Sequence, residues 1–264
     1  MISKNQIKLV RSLEQKKHRI DEGLFVAEGP KVVGDLLACH FRPKVVFATE
    51  NFPLKERRME SLADKIVSVT DDELRRLSFL QHPQQVLALF ELPAECYSSD
   101  NISTHLFLKG GREGISGGLS LALDGVQDPG NLGTIIRVAD WYGIDRIYCS
   151  ADTADCWSPK VVQATMGSIA RVHVTYTNLE TFLSNAQVPV YGTVLDGDNI
   201  YTRQLAQEGI IVMGNEGNGI SQAIRRLLTH RLLIPKMRPG AESLNVAIAT
   251  AIVCSEFRRQ TFSA

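Results

Sequence analysis

Three polar segments in the second half of the chain hold the side chains best suited to chemistry. The segment "LDGVQDPGNLGTIIRVADWYG", residues 123–143, places Asn131 six positions before Arg137. An asparagine offers both donor and acceptor, and an arginine offers a fixed cation with a planar fork of donors. The segment "MGNEGNGIS", residues 213–221, puts Glu216 inside a loop built on Gly214, Gly217 and Gly219. A carboxylate accepts hydrogen bonds but donates none, which suits hydroxyl or ammonium groups and repels phosphate. The segment "IPKMRPGAESLNVAIATAI", residues 234–252, brings Ser243 and Asn245 to the start of an apolar run.

The glycine loop follows an apolar strand and precedes a helix-like stretch, the layout of a nucleotide-binding crossover. Its spacing is nevertheless the reverse of the G-x-G-x-x-G fingerprint, and the next acid, Glu242, lies beyond a further strand. No GxxxxGK[ST] loop is present either. A nicotinamide dinucleotide or nucleoside triphosphate is therefore disfavoured, and an adenosine derivative that is neutral or cationic fits better.

The elements that must carry these residues follow from periodicity. From residue 119 onward, short apolar strands alternate with helices: "LSLALDG", a helix over 131–142, "RIYCS", a helix over 158–169, "RVHVTY", and a helix near 178–186. The series continues with "VPVYGTVLDG", "GIIVMG", a helix over 220–229, "RLLIP" and a helix over 243–259. Such alternation predicts a mostly parallel sheet covered on both faces. Asn131 then stands where an N-cap belongs, and Arg137 lies among Ile135, Ile136 and Val138, with Asp140 placed to neutralise it. Residues 1–95 form a separate alternating unit. It is predicted to contain a basic helix over about 4–16, a helix near 55–63 and a helix at "TDDELRRLSFL" opened by a Thr70–Glu73 capping box. Residues 96–118 have the Gly/Ser-rich composition of a linker, which leaves 119–264 as the second domain.

Bulk composition bounds the partners. The chain has 264 residues, 44% apolar and 22% charged, with no net charge. Its basic residues cluster: Lys4, Lys8, Arg11, Lys16, Lys17 and Arg19 at one end, and Arg225, Arg226, Arg231, Lys236 and Arg238 after the glycine loop. Two such clusters favour a polyanionic partner over two ordinary solvated faces. Five cysteines without a CxxC pair point to reduced thiols. No apolar run approaches the roughly 20 residues of a membrane span, no secretory h-region opens the chain, and no histidine spacing asks for a metal. A cytoplasmic protein is expected.

Taken together, "DPGNLGTIIRVAD", "MGNEGNGIS" and "IPKMRPGAESLNVAIATAI" closely resemble the three motifs of the SpoU (TrmH-type) RNA ribose methyltransferases of the SPOUT superfamily. The N-terminal "SKNQIKLVRSLEQKKHRIDEGLFVAEGPKVV" is similar to that family's RNA-binding domain, itself like certain ribosomal proteins. The resemblance implies an α/β fold: a C-terminal SPOUT domain with a parallel sheet and deep trefoil knot, plus a smaller N-terminal α/β RNA-binding domain. It implies S-adenosylmethionine as cofactor and an RNA ribose 2′-hydroxyl as acceptor, large-subunit ribosomal RNA before tRNA, with a homodimer formed through the knotted domain. A tRNA 2′-O-methyltransferase and a non-catalytic RNA-binding protein that keeps the fold are the alternative readings. Carried over by position, Asn131, Arg137, Glu216, Ser243 and Asn245 match the active-site residues. Gly214, Asn215, Gly217, Ile234, Met237 and Leu244 match the cofactor-binding ones.

Overall fold

The computed structural model describes residues 2–52, 59–93, 118–238 and 243–262. The linker expected over 96–118 lies almost wholly outside the described residues; of the helix expected near 55–63, residues 55–58 lie outside them and the rest belongs to a 3-10 helix, Met59–Lys65. By their contacts, residues 1–94 and 155–171 form one compact unit, and residues 95–154 and 172–264 form the other.

The second unit holds the three motifs. Its strands are β5 (Leu119–Asp124), β6 (Arg146–Cys149), β7 (His173–Tyr176), β8 (Val190–Asn199), β9 (Gly209–Gly214) and β10 (His230–Leu233). They form one sheet in the order β10-β8-β9-β5-β6-β7, and every neighbouring pair is parallel. Strands such as β5 and β9 read as continuous apolar runs because both faces of the sheet are covered, and Leu121, Leu123, Ile211 and Val212 are fully buried. The chain enters at β5, runs outward through β6 and β7, and returns to place β9 on the other side of β5. The direction of winding therefore reverses between β5 and β9, whose last residues, Asp124 and Gly214, are register partners. In parallel α/β sheets this switch point is where loops part and a ligand crevice opens.

Helices α5 (Pro129–Trp141) and α9 (Val246–Phe262) pack against each other. Asn245 and Asn131 are bonded at one end of the pair, and the Arg258 guanidinium donates to the Tyr142 and Gly143 carbonyls at 2.8 and 2.9 Å at the other. The two helices thus run parallel and are fastened at both ends. Expected helix 220–229 shrinks to α8 (Gln222–Arg225). Expected helix 158–169 ends at Ala164 as α6 (Pro159–Ala164), because Met166 and Gly167 both take positive φ.

The first unit is built on β1 (Leu24–Glu28), β2 (Pro43–Ala48), β3 (Ile66–Ser68) and β4 (Val86–Glu91), in the order β1-β4-β2-β3. Strand β4 runs antiparallel to both β1 and β2, while β3 is parallel to β2. The expected N-terminal helix over 4–16 is two helices, α1 (Lys4–Ser12) and α2 (Lys16–Glu22). A buried Arg19 on α2 donates to the Leu13 and Glu14 carbonyls at 2.7 Å and pairs with Asp155. Beside that pair, Trp157 packs on Phe25, with ring centroids 4.5 Å apart. Segment 155–171 therefore packs with this unit, although it lies between β6 and β7 in sequence.

Helix α4 (Asp71–Leu77) opens with the expected capping box: Thr70 accepts from the Glu73 amide, and Glu73 accepts from the Thr70 amide. Glu73 also accepts from the Ile2 amide at 2.9 Å, so the cap fastens the start of the chain as well. Thr70→Ala is expected to lower stability by about 1 kcal/mol in urea unfolding followed by circular dichroism.

Candidate active site

Helix α5 starts two residues earlier than its sequence pattern indicates. Pro129 occupies its first turn and Asp128 is its N-cap, accepting from the Asn131 amide at 2.8 Å. Asn131 is thus inside the first turn, with its side chain relieved of the capping role expected for it. That side chain instead donates through Nδ2 to Glu216 Oε1 and accepts through Oδ1 from Asn245 Nδ2, both at 2.9 Å. The Asn245 oxygen in turn caps α9, accepting from the Ala247 and Ile248 amides at 3.0 and 3.3 Å. Three motifs separated by 85 and 114 residues in sequence meet in one row of side chains.

The glycine loop is a tight hairpin in which Asn215 and Gly219 exchange two backbone hydrogen bonds, at 3.0 and 2.9 Å. Gly219 takes a φ of +67°, which an L side chain rarely adopts. Gly214 has no room for a side chain, since a Cβ there would overlap the backbone of Gly219 and Ile220. The Asn215 amide shapes the loop, donating to the Gly125 carbonyl at 2.7 Å and accepting from the Gly217 and Asn218 amides at 2.9 and 3.0 Å. Asp124 accepts from the Ser221 amide at 2.7 Å, so the end of β5 grips the loop at both of its sides. Glu216 projects from the apex and is exposed.

Arg137 stands apart from this row. Its apolar neighbours Ile135 and Ile136 turn inward and are fully buried, while Arg137 faces solvent. The 100° advance per residue resolves the apolar surroundings that seemed to demand a neutralising partner. It shares a stripe with Thr134 and Trp141, and Trp141 is 84% exposed. Among the described residues nothing bonds Arg137 to Asn131, and six residues along a helix separate them by about 9 Å.

Ser243 and Leu244 are exposed at the mouth of α9, and Met237 is 95% exposed on the loop after β10. Ile234, the residue after β10, is half-buried. Sequence reasoning passed over Leu195. Between the pairs Gly192–Arg231 and Asp198–Leu232, residues 193–197 of β8 bulge out, and Leu195 is left 78% exposed. Gly197 permits the bulge, because a Cβ there would come within 2.6 Å of the Leu232 backbone. The signal lay in "VLDGDN", where apolar alternation gives way to Asp and Gly inside a predicted strand.

In the first basic cluster, two residues have other duties. Arg19 is buried in its ion pair, and Arg11 donates to the Arg76 carbonyl while lying 5.2 Å from the Phe79 ring centroid. In the second cluster, Arg225 and Arg231 both pair with Asp196, whose carboxyl the Arg225 hydrogen bond holds below the usual range. Burial pushes the Cys254 thiol up to about 12 and raises that of Cys149 as well, so neither is a nucleophile near neutral pH.

A wholly parallel sheet, with polar side chains from three loops meeting at its switch point, defines an α/β protein with a candidate ligand site at the β5–β9 loops. The chain belongs to the SpoU rRNA Methylase family, whose model matches residues 118–255, and the MRM3-like substrate binding domain matches residues 4–88. Along 97% of both chains it is 29% identical to the 23S rRNA (guanosine(2553)-2′-O)-methyltransferase RlmP of Bacillus subtilis. A TrmH-family structure from Porphyromonas gingivalis is 42% identical, with a TM-score of 0.83 over 98% of this chain and 99% of that one. The AdoMet-bound rRNA methyltransferase from Sinorhizobium meliloti is 32% identical, with a TM-score of 0.82 over 98% and 96%.

Proposed function

We propose that this protein transfers a methyl group from S-adenosylmethionine to a ribose 2′-hydroxyl of large-subunit ribosomal RNA. The observation that carries the reading is the Glu216–Asn131–Asn245 row, which joins all three motifs at the β5–β9 switch point. The site has the character the cofactor requires. Glu216 is an acceptor for ammonium or hydroxyl groups, and Met237, Leu244 and Leu195 offer exposed apolar surface for an adenine ring. Gly214, Asn215 and Gly217 with Ile234, Met237 and Leu244 would hold it, and when bound it supplies an electrophilic sulfonium methyl group.

The chain's own residues then have separable tasks. Arg137 has five donors and no acceptor, so it positions an RNA phosphate and stabilises charge on the attacking oxygen; the hydroxyl proton would pass to solvent water, with the neutral thioether S-adenosylhomocysteine as the other product. Ser243, at the mouth of α9, adds a hydroxyl that can donate or accept. Asn131, Glu216 and Asn245 set the loops on which cofactor and ribose rest. Exposed Lys4, Lys8, Lys16 and Lys17 follow the RNA backbone on residues 1–95, proposed as the RNA-binding domain, with 119–264 as the catalytic one. A homodimer through the catalytic domain accounts for the exposed Trp141 on the Arg137 stripe and for Ile248 at 55% exposure on α9. The trefoil knot and a cytoplasmic location belong to the same proposal.

The test is transfer of labelled methyl groups to purified ribosomal RNA, transfer RNA and total RNA, followed by mapping of the modified ribose. Incorporation into large-subunit RNA is the expected result. Label confined to tRNA would move the substrate, and RNA binding without incorporation would make the protein a non-catalytic RNA-binding protein.

A further inference from the structure

The polarity of the hydrogen-bonded row is fixed from both of its ends. Glu216 can only accept, so Asn131 must present Nδ2 to it. The Asn131 oxygen then faces Asn245, which must present its own Nδ2. That leaves the Asn245 oxygen toward the Ala247 and Ile248 amides, which can only donate. An acceptor-only group at one end and donor-only groups at the other agree on one orientation for both amides.

We infer that Asn131 is a positioning residue, a bracket whose two amide atoms tie the glycine loop to the start of α9, and that Glu216 serves as the acceptor that holds it. On this reading neither residue exchanges a proton with the ribose. The row lies in the site assigned above, but the measurement on ligand-free protein does not depend on that assignment.

The bracket makes an asymmetric set of predictions. In Glu216→Gln the new amide can turn its oxygen toward Asn131, so the contact that holds the glycine loop survives even though the acceptor offered to the cofactor is weakened. In Asn131→Asp two carboxylates face each other across the Glu216 contact, and the glycine loop is pushed away. One proton shared between such a pair removes the repulsion, so the defect in Asn131→Asp fades as pH falls. The double variant Asn131→Asp/Glu216→Gln restores a donor opposite an acceptor while keeping the acceptor toward Asn245.

The experiment measures amide exchange by NMR at Gly217 and Asn218 in ligand-free protein, and S-adenosylmethionine affinity by calorimetry, at pH 8 and at lower pH. Asn131→Asp is expected to exchange about tenfold faster and bind about tenfold more weakly at pH 8, the loss of roughly one charge-assisted hydrogen bond. The double variant is expected within about threefold of the parent for amide exchange, well under one hydrogen bond, and to bind the cofactor more tightly than Asn131→Asp alone. Parent-like behaviour of Asn131→Asp at pH 8 overturns the inference, as does failure of Glu216→Gln to rescue it. Severe damage from Glu216→Gln alone, with little from Asn131→Asp, would show that the charge at 216 matters for itself, and also overturns it. Recovered exchange with no cofactor binding in any variant, the parent included, would leave the bracket standing and refute the cofactor assignment.

Discussion

Gly214→Ala is expected to cost at least a hundredfold in S-adenosylmethionine affinity, roughly 3 kcal/mol from overpacking together with broken hydrogen bonds. The new Cβ would overlap the Gly219 carbonyl carbon and the Ile220 nitrogen, with the Gly219 oxygen at 2.5 Å. These are backbone atoms, so no rotamer change relieves the clash. The hairpin must open, and with it go the Asn215–Gly219 bonds and the Asn215 grip on Gly125. Gly217→Ala is the control for hairpin closure: its nearest neighbour, Asn215 Oδ1, would lie 3.5 Å away, an ordinary contact, so any smaller loss it shows would come from the methyl group meeting the cofactor and not from an opened hairpin. Calorimetry on the two variants should separate them clearly. Binding by Gly214→Ala within about threefold of the parent would mean that the hairpin is not what shapes the cofactor cradle.

Arg137→Lys is expected to lower kcat by about 10²- to 10³-fold, the usual effect of removing a preorganised donor from a developing oxyanion. Cofactor affinity should be unchanged, because Arg137 is exposed on α5, nearly two turns along from the Asn131 that meets the glycine loop. Stability should shift by no more than about 0.5 kcal/mol, as for other exposed side chains. Lysine keeps the charge but loses the planar fork that grips phosphate with two bonds. A pH–rate profile separates this role from proton removal. A base at 137 would move the limb of the profile when its intrinsic pKa changes, whereas a positioning cation lowers the whole curve without moving it. A near-parental rate in Arg137→Lys would contradict bidentate positioning outright.

Much of the site was legible because it is local. Asn131, Glu216 and Asn245 sit beside glycines and prolines that mark strand ends, and strand ends are where a parallel sheet exposes its loops. The sequence does not say which loops meet. The pairing of β5 with β9 joins strands about 90 residues apart, and only the sheet order makes Asp124 and Gly214 neighbours. The Asp128 cap was readable from "QDPGN", where proline in the first turn points to the residue before it. Asn131 masked that signal, being a good cap type itself. Arg19 was misjudged for a different reason. Its charge counted toward a surface cluster, but a buried guanidinium and a solvated one look the same in composition, and its partner Asp155 lies 136 residues away.

That ion pair has a practical corollary for anyone dissecting the protein. Because 155–171 packs with the N-terminal unit, the backbone passes from one unit to the other three times. Severing it between residues 93 and 118 yields two lengths of chain but not two self-sufficient bodies. A fragment starting at 119 would carry Trp157 without Phe25 and Asp155 without Arg19; the complementary fragment would bury an orphaned guanidinium. Recombinant halves should be insoluble apart and should reassemble when co-expressed, so a failed truncation would report how the chain is threaded and say nothing against the catalytic role of its C-terminal part.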